Sequence, residues 1–345
     1  MLGFVPPLPG LASPAAHAHE MLFGFALAVI AGHQLGAMPG RRLALLVGCW
    51  AAARLAFLFA APGAASGAFN AAFAALLAWH VARRLLPRVK KPRNLALPFA
   101  VAAICACAAL AEVAMRGEAP SEAAVRLAAV ILIAFLMLFM GGRIIAPAVA
   151  GQLYRQGDYL QARVQPRIEA ALIGLMSVAA TGVLAASPDV AALALAAACL
   201  LAAGRMWRWR LWMIRGRADL LCLAAGHAWL VAGLGALSLS LFAGRDLPAA
   251  LHVVTVGALG TFAFNVMVTM WARHGRHERP PAAVAVAGTL LVAAATLARG
   301  LAAFLPGGAR GLLVTASAAW CAAYLLSLAF FLSWRPLLRE RDGPV

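Results

Sequence analysis

Eleven apolar runs, most of them about twenty residues long, set the terms on which this chain can fold. They fall at 21–39, 43–61, 67–86, 95–115, 124–146, 167–187, 189–204, 219–242, 248–272, 281–304 and 310–334. A helix rises about 1.5 Å per residue, so about twenty apolar residues match the roughly 30 Å hydrocarbon core of a bilayer. Within that core the backbone must satisfy its own hydrogen bonds, and continuous runs of this length do so as helices. The predicted fold class is therefore all-α: a polytopic membrane bundle of eleven transmembrane helices. Composition agrees, with 64% hydrophobic and 12% charged residues, where soluble domains hold about half and about a quarter. The predicted organisation is an extracytoplasmic segment 1–20, one transmembrane domain 21–334 and a cytoplasmic tail 335–345. The least defined boundary is "AASPDV" at 185–190, where only Pro188 and Asp189 separate one run from the next.

The net charge of +17 reports topology and not a nucleic-acid partner, because basic surface interleaved with stacking aromatics is missing. The gaps at 40–42, 83–94, 143–167, 205–217 and 273–279, with the tail, hold 23 of the 29 Lys and Arg residues. Alternate gaps hold only Arg116, Arg126, Arg245 and Arg310, and Arg54 and Arg299 lie inside runs. Cytoplasmic loops carry the excess of Lys and Arg, so the N-terminus is expected outside, the C-terminus inside and the span number odd. The opening "MLGFVPPLPGLASPAA" has no basic start and no long apolar core, and reads as neither signal peptide nor span. Five of the six cysteines fall within apolar runs, with Cys222 close to a helix start, which predicts free thiols and no disulfide framework.

Each polar residue then acquires a depth. His17, His19 and Glu20 enter the first run from outside, His252 begins the ninth, and Arg54 and Arg299 lie in outer halves. Three histidines, a carboxylate and two arginines thus form an expected outer layer. His33, His80 and His227 form an inner one, roughly 9–12 Å from the inner boundary. His19 and His33 are fourteen residues apart, which on a uniform α-helix puts them about 21 Å apart on one face. Ionisable groups at membrane depth normally face the bundle interior or a cavity. Others read as ordinary: His80 as a hydrogen-bonded helix residue beside Arg83 and Arg84, and His274 and His277 of "WARHGRHERP" as a solvated basic loop. Gly32 with Gly36 and Gly257 with Gly260 permit close helix approach.

Histidines on facing helices with arginines at the same depth suit a haem, whose propionates pair with arginine. Neutral imidazole also suits copper, and layered histidines suit a proton path. Composition does not choose among the three.

Five stretches carry a resemblance: "HAHEMLFGFALAVIAG" (17–32), "GGRIIAP" (141–147), "GHAWLVAGL" (226–234), "LHVVTVGALGT" (251–261) and "AAWCAAYLLSLAFF" (318–331). In this order they resemble landmarks of the NnrS family across nearly the whole chain, the first and fourth most specifically. The resemblance implies a multi-pass bacterial inner-membrane protein containing haem and copper and linked to nitric oxide metabolism and tolerance of nitrosative stress. It matches His17, His19, Glu20, Arg54, Gly141, Gly142, Arg143, His227, His252, Thr255 and Gly257 to motif positions. The chain departs from the family's pattern in three places. An apolar helix before the His-x-His-Glu motif is not seen, "PGRR" (39–42) replaces a polar Asn-Trp-Thr-Gly stretch, and Arg273 to Arg276 shortens a Gly-His-Thr-Gly-Arg motif. His33 falls where the family carries an apolar residue.

Depth and resemblance together give the site expectation. His17, His19 and His252 form an outer metal site with Arg54 setting its charge. His227 is a ligand at the inner level with His33 as second candidate, and Arg299 joins Arg54 and His227 in cofactor binding. The expected cofactors are haem and copper, and the expected partners are the lipid bilayer and a small gaseous ligand such as nitric oxide, with no nucleic acid. The sequence identifies no redox partner and does not say whether the protein turns over a substrate. The alternative function is a transporter or proton-coupled permease with a histidine relay. Few mid-span prolines and no paired halves are visible to support it.

Overall fold

The computed structural model describes residues 8–60, 63–115, 121–245, 247–276 and 279–333. His277 and the tail at 335–345 lie outside the described residues. Among them every regular element is helical, and eleven helices are long and apolar enough to cross a membrane. We label these α1 (Pro14–Gln34), α2 (Gly40–Phe59), α3 (Ala64–Arg88), α4 (Pro92–Ala114), α5 (Glu122–Arg155) and α6 (Gln161–Leu184). The remainder are α7 (Pro188–Trp207), α8 (Ala218–Ala243), α9 (Leu247–Arg273), α10 (Ala282–Leu301) and α11 (Ala309–Ser333). They correspond one to one with the eleven runs. Large apolar side chains such as Leu200, Leu239, Phe99 and Leu332 are exposed, the pattern of a surface that meets lipid.

The helices group into two compact units. The first comprises Met1–Phe139, Pro166–Leu201 and Leu237–Arg245, and the second Met140–Gln165, Ala202–Ala236 and Asp246–Val345. In the first unit α2, α3 and α4 pack as neighbours in chain order; in the second, α10 and α11 form the closest pair. Helix α5 contributes its first half to one unit and its second to the other. Its thirty-four residues reach about 51 Å, well past the hydrocarbon thickness. Pro147 lies inside it, and proline removes the hydrogen bond to the carbonyl four residues earlier, here that of Arg143.

The first helix starts earlier than expected. Ser13 caps it by accepting from the Ala16 N–H at 3.1 Å, and Pro14 takes the first turn, the combination that favours a helix start. The boundary at residue 21 therefore moves to Pro14, and His17 and His19 lie within the helix instead of before it. At its other end α1 stops at Gln34, which puts His33 in the last turn and not six residues short of the end. The "AASPDV" break is a tight turn: α6 ends at Leu184, Ala186 is left-handed (φ 54°), and the Ser187 N–H donates to the Gly182 carbonyl at 2.8 Å.

Two helices carry a π-helical segment: Glu20–Ala26 in α1 and Val253–Gly260 in α9. Each follows a six-residue α-helical opening, Pro14–His19 and Leu247–His252, so a histidine caps each segment. A glycine lies five residues on in both, Gly24 and Gly257. Hydrogen bonds of the i→i+5 type widen the turn, so the 100° step that placed His19 and His33 on one face does not carry across residues 20–26. A local correspondence between these two stretches of the chain is present that residue identity alone does not display.

The alternation of basic loops predicts which ends of these helices face the cytoplasm. All six native thiols lie within spanning helices. A cysteine at Ser121 should react with a membrane-impermeant maleimide in intact cells, and one at Arg215 only after permeabilisation. The reverse pattern would invert the topology.

Candidate functional site

The "HAHE" motif belongs to a closed ring of buried polar groups in the first unit. His19 is 1% exposed and its Nε2 lies 2.9 Å from Oε1 of Glu112. Its Nδ1 lies 3.4 Å from Oε1 of Glu20, whose Oε2 is 3.3 Å from Nε of Arg54. Arg54 Nη2 donates to Asn70 Oδ1 at 3.0 Å, and Asn70 Nδ2 donates to Glu112 Oε1 at 2.7 Å. Five side chains from α1, α2, α3 and α4 thus close on themselves. The His19 ring also stacks on Phe57 (4.6 Å between centroids, 5° between planes) and meets Phe23 edge-on at 5.3 Å.

Local structure places each member. Gly24 lies in the π segment where any side chain would overlap the Arg54 guanidinium. The Gly24 carbonyl accepts from the Trp50 indole at 2.9 Å, which ties α2 to α1 one turn before Arg54. As placed, both nitrogens of His19 face carboxylate oxygens. Within each unit, among the described residues, no three His, Cys, Asp or Glu side chains are arranged to hold an ion.

The other expected residues are distributed as follows. His17 is exposed on α1, two residues before His19. Arg54 is in the ring and pairs with Glu20. His33 is half-buried at the end of α1, where Arg84 from α3 donates to the Gln34 carbonyl and fills the space beside Gly36. His252 belongs to the second unit, in the second turn of α9, with Nδ1 2.6 Å from the Pro248 carbonyl. That hydrogen bond puts the proton on Nδ1 and the ring's lone pair on Nε2. Arg299 is half-buried in the last turn of α10. The structure brings Glu20 and Arg54 to His19 and adds two residues that the linear motifs do not single out, Asn70 and Glu112. Their signal is present in the sequence: Glu112 is a carboxylate, and Asn70 an amide, inside apolar runs.

His227 stands in the opposite situation. It is fully buried in α8 of the second unit, and neither ring nitrogen has a hydrogen-bond partner among the described residues. The Ala202 backbone comes near the ring without making a bond of ordinary geometry. Trp209, 0% exposed, lies 4.8 Å from it between ring centroids, and the indole N–H is also unsatisfied. Arg205, at the end of α7, is 5% exposed and lies over the Trp209 ring, its Cζ 5.8 Å from the centroid. The turn after α7 produces this arrangement. The Trp209 backbone N–H donates to the Met206 carbonyl at 3.0 Å, and Arg210 adopts a left-handed φ of 54° that turns the chain after Trp209. Gly141 and Gly142 of α5 clear the space. A Cβ at Gly141 would stand 3.2 Å from His227 Nδ1, and one at Gly142 would overlap the Arg205 guanidinium. Counted by gap, Arg205 is a loop cation; the structure buries it.

Breaking one member of the first-unit ring strands the others in a low-dielectric interior. Glu112→Ala should lower the unfolding free energy of purified protein by about 3–5 kcal/mol, the cost of opening a buried ion pair. Denaturant titration in detergent measures it, and a loss below about 1 kcal/mol would show that the ring is not formed.

No match is found among curated proteins or among solved structures. The family model described as NnrS protein matches residues 1–341. With eleven membrane-length helices, and with the landmark residues Gly141, Gly142 and His227 packed together in one unit and His19, Glu20 and Arg54 in the other, the chain belongs to the NnrS family.

Proposed function

We propose that this multi-pass membrane protein binds haem through His227, at the bacterial inner membrane, in nitric oxide metabolism or protection against nitrosative stress. The observation that carries the reading is the pair of unsatisfied nitrogens on a fully buried imidazole. Leaving a buried donor or acceptor unmade costs about 1–3 kcal/mol, so an imidazole with neither nitrogen bonded fits a residue that would hold a haem iron. Neutral histidine has one lone pair for a metal and one N–H for a second partner. When bound, haem supplies an iron that ligates nitric oxide and exchanges electrons. The protein's own contribution is to hold His227 in place, exclude water from it by packing Trp209 and Phe262 around α8, and keep a positive side chain close by.

Copper is proposed as the second metal on different terms. His252 presents Nε2 as its unprotonated nitrogen, because Nδ1 donates to Pro248, and that is the tautomer of a ligand whose other nitrogen is held by the protein. His19 does not fit the same role while Glu20 and Glu112 hold both its nitrogens. We therefore centre the copper proposal on His252 and assign His19 and Arg54 to the ring of charges.

Protein purified from cells supplied with haem and copper should show a Soret band and about stoichiometric copper. His227→Ala should lose the Soret absorbance at least roughly tenfold, with the copper content retained. His252→Ala should do the converse. Wild-type protein lacking both the band and the copper would sink the reading.

A further inference from the structure

Within the first unit, α4, the first half of α5 and α6 leave a groove of about 360 Å³ between them. Phe99 and Ala103 of α4, Leu132 of α5 and Ile173 of α6 give it apolar walls. Ser177 adds a hydroxyl, but that group donates to the Ile173 carbonyl at 2.9 Å and is turned onto its own helix. Phe99 is 62% exposed, so the groove is open on the surface that meets lipid. Arg93 is the charged residue in its lining.

The groove runs from one membrane boundary to the midplane. Arg93 is in the first turn of α4, at the end that the basic gap 83–94 assigns to the cytoplasm. Ala103 lies ten residues further along, about 15 Å deeper. Leu132 is ten residues from Glu122 at the opposite end of α5, about 15 Å in from the other side. The groove thus covers half of the roughly 30 Å hydrocarbon core, the depth of one leaflet's acyl chains.

At the shallow end the charges are nearly all of one sign. Arg88, Lys90 and Lys91 are exposed just before α4, Arg167 is exposed on α6, and Glu169 is the acid among residues 83–103 and 166–177. Oε2 of Glu169 lies 3.9 Å from Arg93 Nε, which brings the start of α6 beside the start of α4. That separation exceeds a hydrogen bond, and the buried Nε makes none among the described residues. A guanidinium presents five N–H donors in a fork that matches phosphate oxygens.

We propose that this groove binds one anionic phospholipid of the cytoplasmic leaflet. Its phosphate lies against Arg93 within the basic rim, and one acyl chain follows Phe99, Ala103, Leu132 and Ile173 to the midplane. The chain fills a seam where three helices lack packing partners, and packing is what holds helices together in lipid. The inference is independent of the haem and copper reading, because its residues all belong to the first unit and none is a proposed ligand.

Native mass spectrometry of the purified full-length protein tests it, with dioleoyl phosphatidylglycerol or dioleoyl phosphatidylcholine titrated into detergent and the first lipid bound followed. Wild-type protein should bind the anionic lipid roughly fivefold to twenty-five-fold more tightly, the range for one or two basic side chains at the headgroup. Arg93→Gln should lower that preference about fivefold. Arg88→Gln, in the same basic gap but outside the groove, should change it by less than about twofold. Ala103→Trp fills the slot without altering a charge and should weaken the first binding step of both lipids at least about threefold. Ser177→Trp stands in if Ala103→Trp does not fold. Equal binding of the two lipids by wild-type protein overturns the proposal. Equal effects of Arg88→Gln and Arg93→Gln also overturn it, since they describe a diffuse basic surface. So does lipid binding that tryptophan in the slot leaves unchanged, which describes headgroup attraction with no chain in the groove.

Discussion

A charge inside a helix bundle surrounded by lipid has no water to turn to, so it is held by another protein group or waits for a ligand. That single constraint organises both polar clusters of this protein. In the first unit the groups face one another, His19, Glu20, Arg54, Asn70 and Glu112 closing a ring through contacts of 2.7–3.4 Å, although Arg54 Nε and Nη1 make no hydrogen bond among the described residues. In the second, His227 and Trp209 keep ring nitrogens that no described protein group meets. Four of the five side chains in the first cluster have every described buried polar atom paired, and in the second both nitrogens of His227 and the indole N–H of Trp209 make no hydrogen bond among the described residues. The difference lies in the partners, because both are buried to a similar degree.

The distinction reverses the emphasis that the linear motif suggests. "HAHE" carries two histidines and a carboxylate within four residues, the densest set of metal-ligand types in the chain, yet its buried histidine is spoken for on both sides. Proximity in sequence placed Glu20 beside His19, but the residue that accepts from Nε2 is Glu112, ninety-three positions away. A ligand assignment from spacing counts nitrogens; an assignment from structure counts lone pairs that remain.

The helices were legible in the sequence because hydrophobic length is a one-dimensional property, and all eleven runs emerged as helices. Depth was less legible, since it depends on helix ends: the Ser13 cap moves the start of α1 from residue 21 to Pro14, and the stop at Gln34 brings His33 to the boundary. Facing was least legible. The i→i+5 bonding of residues 20–26 is invisible in a pattern of Ala, Phe and Leu and breaks the uniform step on which a shared face depends. Arg205 shows the same limit from the charge side. Counting cations by gap assigns it to a loop, whereas its burial depends on Gly142, sixty-three residues earlier, having no side chain.

The two π segments point to why such an unfavourable turn is kept. Each follows directly on a histidine, and each contains a glycine five residues beyond it. A π turn inserts a residue and so rotates the helix before it relative to the helix after it, which lets one face hold the histidine while the glycine faces a different neighbour. In α1 the neighbour at Gly24 is the Arg54 guanidinium, which the missing side chain admits to the ring. In α9 the neighbours at Gly257 are Trp229 and Thr296, whose atoms would stand about 3.1 Å from any added Cβ, so the same device admits an indole. Trp229 lies two residues from His227 on α8. The α9 turn thereby bears on the helix that presents the unsatisfied imidazole, through packing against its next indole and not through a bond to the ring.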